Sequence, residues 1–140
     1  MKFLYTSVGG GISGIETALT VINELFKKSI HKKKPINIAI IDKNPENIPG
    51  GVAYGFDISK YGFFNNPIRL SPKEFVNWLS TKKGKHKILS YLKIYGGYTG
   101  ENWIKKNKKI LLSNNRNKFS ELYVPRALSN IWMEEKLISL

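Results

Sequence analysis

Three glycines in a row, Gly9 to Gly11, and a fourth at Gly14 punctuate the start of the chain. What flanks them restricts the fold. Residues 2 to 8, "KFLYTSV", are rich in β-formers and stop at glycine, the pattern of a strand. Thr6 and Ser7 are more polar than a fully buried central strand usually allows. From residue 12 to about 28 the period changes to that of a helix. Ile15, Ala18, Leu19, Ile22 and Phe26 fall on one face, and Glu16, Thr17, Thr20, Asn23 and Lys27 fall mostly on the other. Lys27 and Lys28 suit the negative end of the helix dipole. "INIAIID", residues 36 to 42, is then a near-continuous apolar run between Pro35 and "KNPENIPGG". Such a run predicts a strand buried on both faces of a parallel sheet. Strand, helix and strand in this order make a βαβ unit.

Within that unit the spacing Gly9-x-Gly11-x-x-Gly14 fits a dinucleotide fingerprint. Each glycine has a physical task. Gly9 allows the tight turn off the strand, Gly11 lets a pyrophosphate approach the backbone, and Gly14 lets the helix pack close to the sheet. Gly10, between them, is counted with them as a cofactor-binding residue. The helix start offers unpaired N–H groups and a partial positive charge to phosphates. Ser13, in the first turn, adds its own N–H or hydroxyl. Asp42 ends the second strand, where a carboxylate accepts hydrogen bonds from ribose hydroxyls and repels a 2′-phosphate. The gap from Gly14 to Asp42 exceeds the usual twenty or so residues, and "KKSIHKKKP" supplies the excess. Glycines that serve packing alone, with Asp42 merely opening a loop, are the competing reading.

The rest of the chain reads as mainly helical. "SPKEFVNWLS" predicts a helix with Ser71 as cap, Pro72 in the first position and Glu74 closing a capping box. "HKILSYLKIY" predicts another, ended by Gly96 and Gly97. "VPRALSNIWMEEKLISL" predicts a last one with Pro125 near its start. Between residues 96 and 120 the pattern is weak, and "KKILLS" near residue 110 is a candidate third strand. No internal repeat is visible.

Composition excludes several classes. A chain of 140 residues, 41 % of them hydrophobic, can form one domain with a real core. There are no cysteines, hence no disulfide, thiolate metal site or cysteine nucleophile. His31 and His86 sit among lysines without partners at metal spacing, so no metal site is expected. No apolar stretch approaches the roughly 20 residues a bilayer requires, and the short apolar run of "MKFLYTSV" is not a signal peptide. No membrane association and a cytoplasmic address are expected. The net charge of +13 comes from lysine runs at 27–34, 82–87 and 105–109. A basic nucleic-acid-binding module is one reading of them. The runs are scattered, and none lies beside an aromatic stacking platform. Solvated helix ends and loops therefore account for them better, and nucleic acid is not the expected partner.

Five segments in order resemble the N-terminal part of the FAD/NAD(P)-binding family that includes FAD-dependent urate hydroxylases and aspartate N-monooxygenases. "VGGGISGIETA" is similar to its opening fingerprint and "IAIIDKNP" to its second strand and acidic end. "GGVAYG" is similar to the loop that follows, "FFNNPIRLSPKEFVNWL" to its L-N-x-P…M-S…F…W-L stretch, and "YVPRALSNIWMEEKL" to its Y/F-V-P-R…Y-L segment. The resemblance implies FAD as the dinucleotide, with NAD(P)H as a reductant at a site outside this chain. It implies that Gly9, Gly11, Gly14 and Asp42 hold the ADP half, with Lys43 beside the adenine or ribose. Tyr54, Asn65 and Arg126 match family positions without an assigned role. Gly50 stands where the family often has arginine.

Members of that family are several times longer. The remaining sheet strands, the later cofactor contacts and the NAD(P) half would lie beyond Leu140. The expectation is therefore an α/β fold with a Rossmann-like βαβ start and a mainly helical second half, an incomplete FAD-binding domain. It spans residues 1–140 as one unit, with the fingerprint region in 1–55 and the helical segment in 56–140. Its expected function is FAD binding as the N-terminal module of a flavin-dependent oxidoreductase or monooxygenase-like protein. Catalysis would need a second polypeptide carrying the missing half. A truncated or split fragment without activity is the alternative.

Overall fold

The structure, a computed structural model, describes residues 4–28, 37–44, 48–49 and 61–139. Two strands, β1 (Tyr5–Val8) and β2 (Ile38–Ile41), pair in parallel with Tyr5 opposite Ile38 and Val8 opposite Ile41. Between them in sequence lies helix α1 (Ile12–Lys27). Five helices follow a short 3-10 turn at Ile68–Leu70. They are α2 (Lys73–Ser80), α3 (Lys82–Tyr95), α4 (Gly97–Leu112), α5 (Arg116–Ser120) and α6 (Leu128–Ile138). The described fold is thus mixed α/β, mostly helical, with a small parallel sheet. The βαβ start agrees with the reading of the sequence, but no third strand is present among the described residues.

The polarity of β1 has a steric origin. Ser7 is buried, and it faces α1 at Gly14. A Cβ on Gly14 would run into the Gly9 carbonyl oxygen and lie 2.8 Å from the Ser7 hydroxyl. Helix and strand approach each other over two small residues, and a larger residue in place of Ser7 would hold them apart. On this side Ile15, Ala18 and Leu19 are buried, as their spacing predicts, and Ile40 packs against the core. Phe26, expected on the same face, is about half exposed.

β2 is not buried on both faces. Its first three residues are half-buried and Ile41 is 55 % exposed, opposite Val8 of β1 at 86 %. Among the described residues the sheet has two strands, and α1 covers one side of it. The continuous apolar run therefore has more hydrophobic surface than its described neighbours cover.

The helical half holds the main core. Phe75 of α2 sits at its centre, with ring centroids 5.3 Å from Trp132, 5.9 Å from Phe64 and 6.0 Å from Trp78. α1 joins this core through Ile15 and Leu19. Residues 62–68 run alongside residues 122–126. The Phe64 N–H donates to Val124 O at 3.0 Å, and the Arg126 N–H donates to Gly62 O at 2.8 Å.

Three local expectations are corrected. "KKILLS" is not a strand but lies in α4 and the turn after it. Trp103, Ile104, Asn107, Ile110 and Leu111 recur at helical spacing, so Leu111 is buried while Leu112 is exposed. The last helix begins at Leu128 rather than near Pro125, because Pro125 is engaged in a bridge with Phe63. The capping box before α2 does not form. The helix starts one residue late, with Pro72 as its N-cap and no side-chain cap bond, and the Glu74 carboxylate pairs with Lys136 at 2.9 Å instead. The cap that does form is at α3, where Thr81 Oγ1 accepts from the Gly84 N–H at 3.0 Å. Thr81→Ala is expected to cost about 1 kcal/mol in a urea melt. Ser71→Ala should stay within about 0.5 kcal/mol, the scale of a surface change.

Candidate functional site

The chain leaves β1 through Gly9, whose φ of +101° is one that residues with a side chain rarely adopt. The Gly9 N–H donates to Ile41 O at 2.7 Å, so the turn begins while still tied to β2. Gly11, the N-cap of α1, has φ −69° and ψ 174°. That conformation suits any residue, so the backbone itself does not require glycine there. Gly14 is required by the contact with β1 already described. Gly9 is thus a conformational position and Gly14 a packing position, while Gly11 caps the start of α1 in a conformation open to other residues.

Gly10 is buried and looks across the turn. Its N–H donates to Asp42 Oδ2 at 2.6 Å. The other carboxylate oxygen, Oδ1, accepts from the Asn44 N–H at 2.8 Å. Asp42 therefore clamps the glycine turn to the end of β2. The backbone N–H of Asn44, and then that of Gly10, hold its carboxyl below the usual carboxylate range. The group is ionised and acceptor-only at neutral pH. Because the folded value is depressed, the clamp contributes fully above about pH 4, the ordinary aspartate value, and is lost as pH falls through the native one. Each oxygen keeps acceptor capacity beyond its one backbone bond, enough for a pair of hydroxyls. Above Gly10 the side chain of Ile48 closes the turn, and a Cβ on Gly10 would collide with it. The face of the turn over Gly10 is therefore closed to a ligand.

At that helix end the first bond within α1 runs from the Ile15 N–H to Gly11 O, at 3.1 Å. Among the described residues, the N–H groups of Ile12, Ser13 and Gly14 have no partner, and no side chain caps them. The Ser13 hydroxyl is exposed and likewise without one. No acidic residue stands in the first turn. The arrangement offers three aligned donors and a partial positive charge to an anion. Beside it, Ile12, Ser13 and Glu16 border a cleft of about 310 Å³ whose far wall includes Phe64, Phe75, Trp132 and Met133.

Of the candidate residues, Gly9, Gly10, Gly11, Ser13, Gly14 and Asp42 lie together around this turn. Lys43 is exposed just beyond Asp42. Tyr54 and Gly50 fall outside the described residues. Asn65 and Arg126 are brought together away from the turn. The Arg126 guanidinium donates to Phe63 O at 3.2 Å and to Asn65 Oδ1 at 3.5 Å, and both residues line a hollow of about 280 Å³. That hollow shares Phe64, Ser71 and Pro72 with the cleft beside α1. Sequence reading missed Ile48, since nothing in an isoleucine after a loop announces a contact across a turn.

Among the described residues no group of three or more acidic or histidine side chains could hold a metal ion, and no helix is long and apolar enough to cross a membrane. Compared with models of protein families, with curated proteins and with solved structures, the chain matches none.

Proposed function

We propose that the chain binds a dinucleotide, FAD, by its ADP half at the glycine turn. The observation that carries this reading is the joint placement of an ionised Asp42 at the end of β2, the Gly9–Gly11 turn it clamps, and a helix start whose three N–H groups lack partners among the described residues. In this reading the pyrophosphate lies over Gly11 and accepts from the Ile12, Ser13 and Gly14 N–H groups. Asp42 accepts from the adenosine ribose hydroxyls with its remaining lone pairs. The identity of the dinucleotide as FAD rests on the five segments that resemble flavoproteins. Bound FAD would supply hydride acceptance and reaction with oxygen, and the protein contributes binding and orientation.

The test is a titration of the purified chain with FAD, followed by flavin fluorescence and the visible spectrum. Saturable quenching is expected. Asp42→Ala should weaken it by about ten- to a hundredfold, the scale of losing a charged acceptor. No binding at high micromolar FAD, or an unchanged affinity in Asp42→Ala, would refute the assignment of the turn or of the ribose contact respectively.

The exposed Val8 and Ile41 favour a second reading, in which the chain is one piece of a larger unit and catalyses nothing alone. Apolar surface left on a sheet face is ordinarily covered in a functional protein. FAD binding without NAD(P)H oxidation by the isolated chain is the result that distinguishes it.

A further inference from the structure

A second concave site lies in the helical half and shares no residue with the glycine turn. Two adjoining hollows, of about 240 and 440 Å³, open between the α2–α3 corner and the α4–α5 corner. They share Ser80, Lys85 and Asn114. Four cationic or basic side chains line them: Lys82, Lys85, His86 and Arg116. No carboxylate is among the lining residues.

The placement follows from helix geometry. Lys82, Lys85 and His86 stand at i, i+3 and i+4, one face of α3. Lys83 and Lys87 stand on another face, where both pair with Glu135 of α6, at 2.9 and 3.4 Å. α3 therefore sends its ion-paired lysines to one side, and Lys82 and Lys85 on the other have no carboxylate partner among the described residues. Lys85 is fixed in place, its ammonium donating to Ser113 O at 2.9 Å and lying 5.5 Å from the Phe119 ring centroid. Lys82 and Arg116 are exposed and have no ion-pair partner among the described residues. Like charges gathered on one face repel, so the site is stabilised by an anion that enters it. Leu89 and Leu112 add an apolar wall to the larger hollow. A ligand that matches both parts has a compact multiply charged anionic group joined to a carbon skeleton.

We propose that this hollow binds a small phosphomonoester, its phosphate among Lys82, Lys85, His86 and Arg116 and its organic part along Leu89 and Leu112. Guanidinium and ammonium groups suit the oxygens of such a dianion. The proposal is independent of FAD binding.

The test is an amide NMR titration of the full chain with phenyl phosphate at constant ionic strength, with phenol as the uncharged control. Saturable shifts confined to residues 80–89 and 112–119 are expected, and none with phenol. The double variant Lys82→Gln, Arg116→Gln should weaken binding by at least about tenfold, since both side chains are exposed and hold no packing. Lys83→Gln should not change it. Shifts that never saturate and spread over the other lysine-bearing helices would overturn the proposal, as would equal loss in Lys83→Gln. A short single-stranded oligonucleotide, or phosphatidic acid vesicles, engaging the same residues more tightly than phenyl phosphate would also overturn it.

Discussion

Phe75→Ala is expected to lower the unfolding free energy by about 3–5 kcal/mol, the cost of truncating a fully buried aromatic ring. Domains of this kind are stable by roughly 5–15 kcal/mol, so the loss is a large share of the total. Phe75 is 1 % exposed and its ring meets Phe64, Trp78 and Trp132. These neighbours come from three separate stretches of chain, so the cavity left by alanine cannot close by moving one helix. Trp78 is further held by its indole N–H donating to Glu135 at 2.9 Å, and Lys136 lies 4.5 Å from the Trp132 ring centroid. Urea denaturation followed by tryptophan fluorescence measures the effect directly. A loss below about 1 kcal/mol would mean that the helical half is not organised around this ring.

How much of this was readable beforehand depended on the range of the interaction responsible. The period of Ile15, Ala18 and Leu19 marked the buried face of α1, because helix periodicity is local. The change from an apolar run to "KNPENIPGG" marked the end of β2 within a residue. The place of Asp42 just after β2 was legible for the same reason, since a strand end is also local. The helix at Gly97–Leu112 was obscured by Gly97 and Gly100 and by Asn102 and Asn107, which weaken the propensity signal. The helix is specified instead by packing, with Leu111 buried against other elements. The failed capping box shows the same limit. Ser71 and Glu74 had the right spacing, but Lys136, sixty-two residues on from Glu74, competes for the carboxylate. Ser7 looked like a flaw in a strand until the position of Gly14 opposite it gave the reason.

Gly14→Ala and Gly11→Val are expected to fail in different ways, and the contrast separates fold from ligand. At Gly14 an added methyl meets the Gly9 carbonyl and the Ser7 hydroxyl. The obstacle includes backbone, which cannot swing aside, so α1 must shift from β1 at a cost of about 1–3 kcal/mol. Gly14→Ala should therefore lower the thermal midpoint with or without FAD. At Gly11 the φ and ψ values are ordinary extended ones, so valine, which prefers that region, is accommodated by the backbone. In the proposed reading its branched side chain would instead stand where the pyrophosphate approaches the N–H groups of Ile12 and Ser13. Gly11→Val should keep a near-native melt and lose FAD binding altogether, read by the same fluorescence titration. Should Gly11→Val bind FAD as the parent does, the glycines serve only the packing of α1 on β1, and the clamp from Asp42 to Gly10 is then a feature of the fold rather than of a cofactor site.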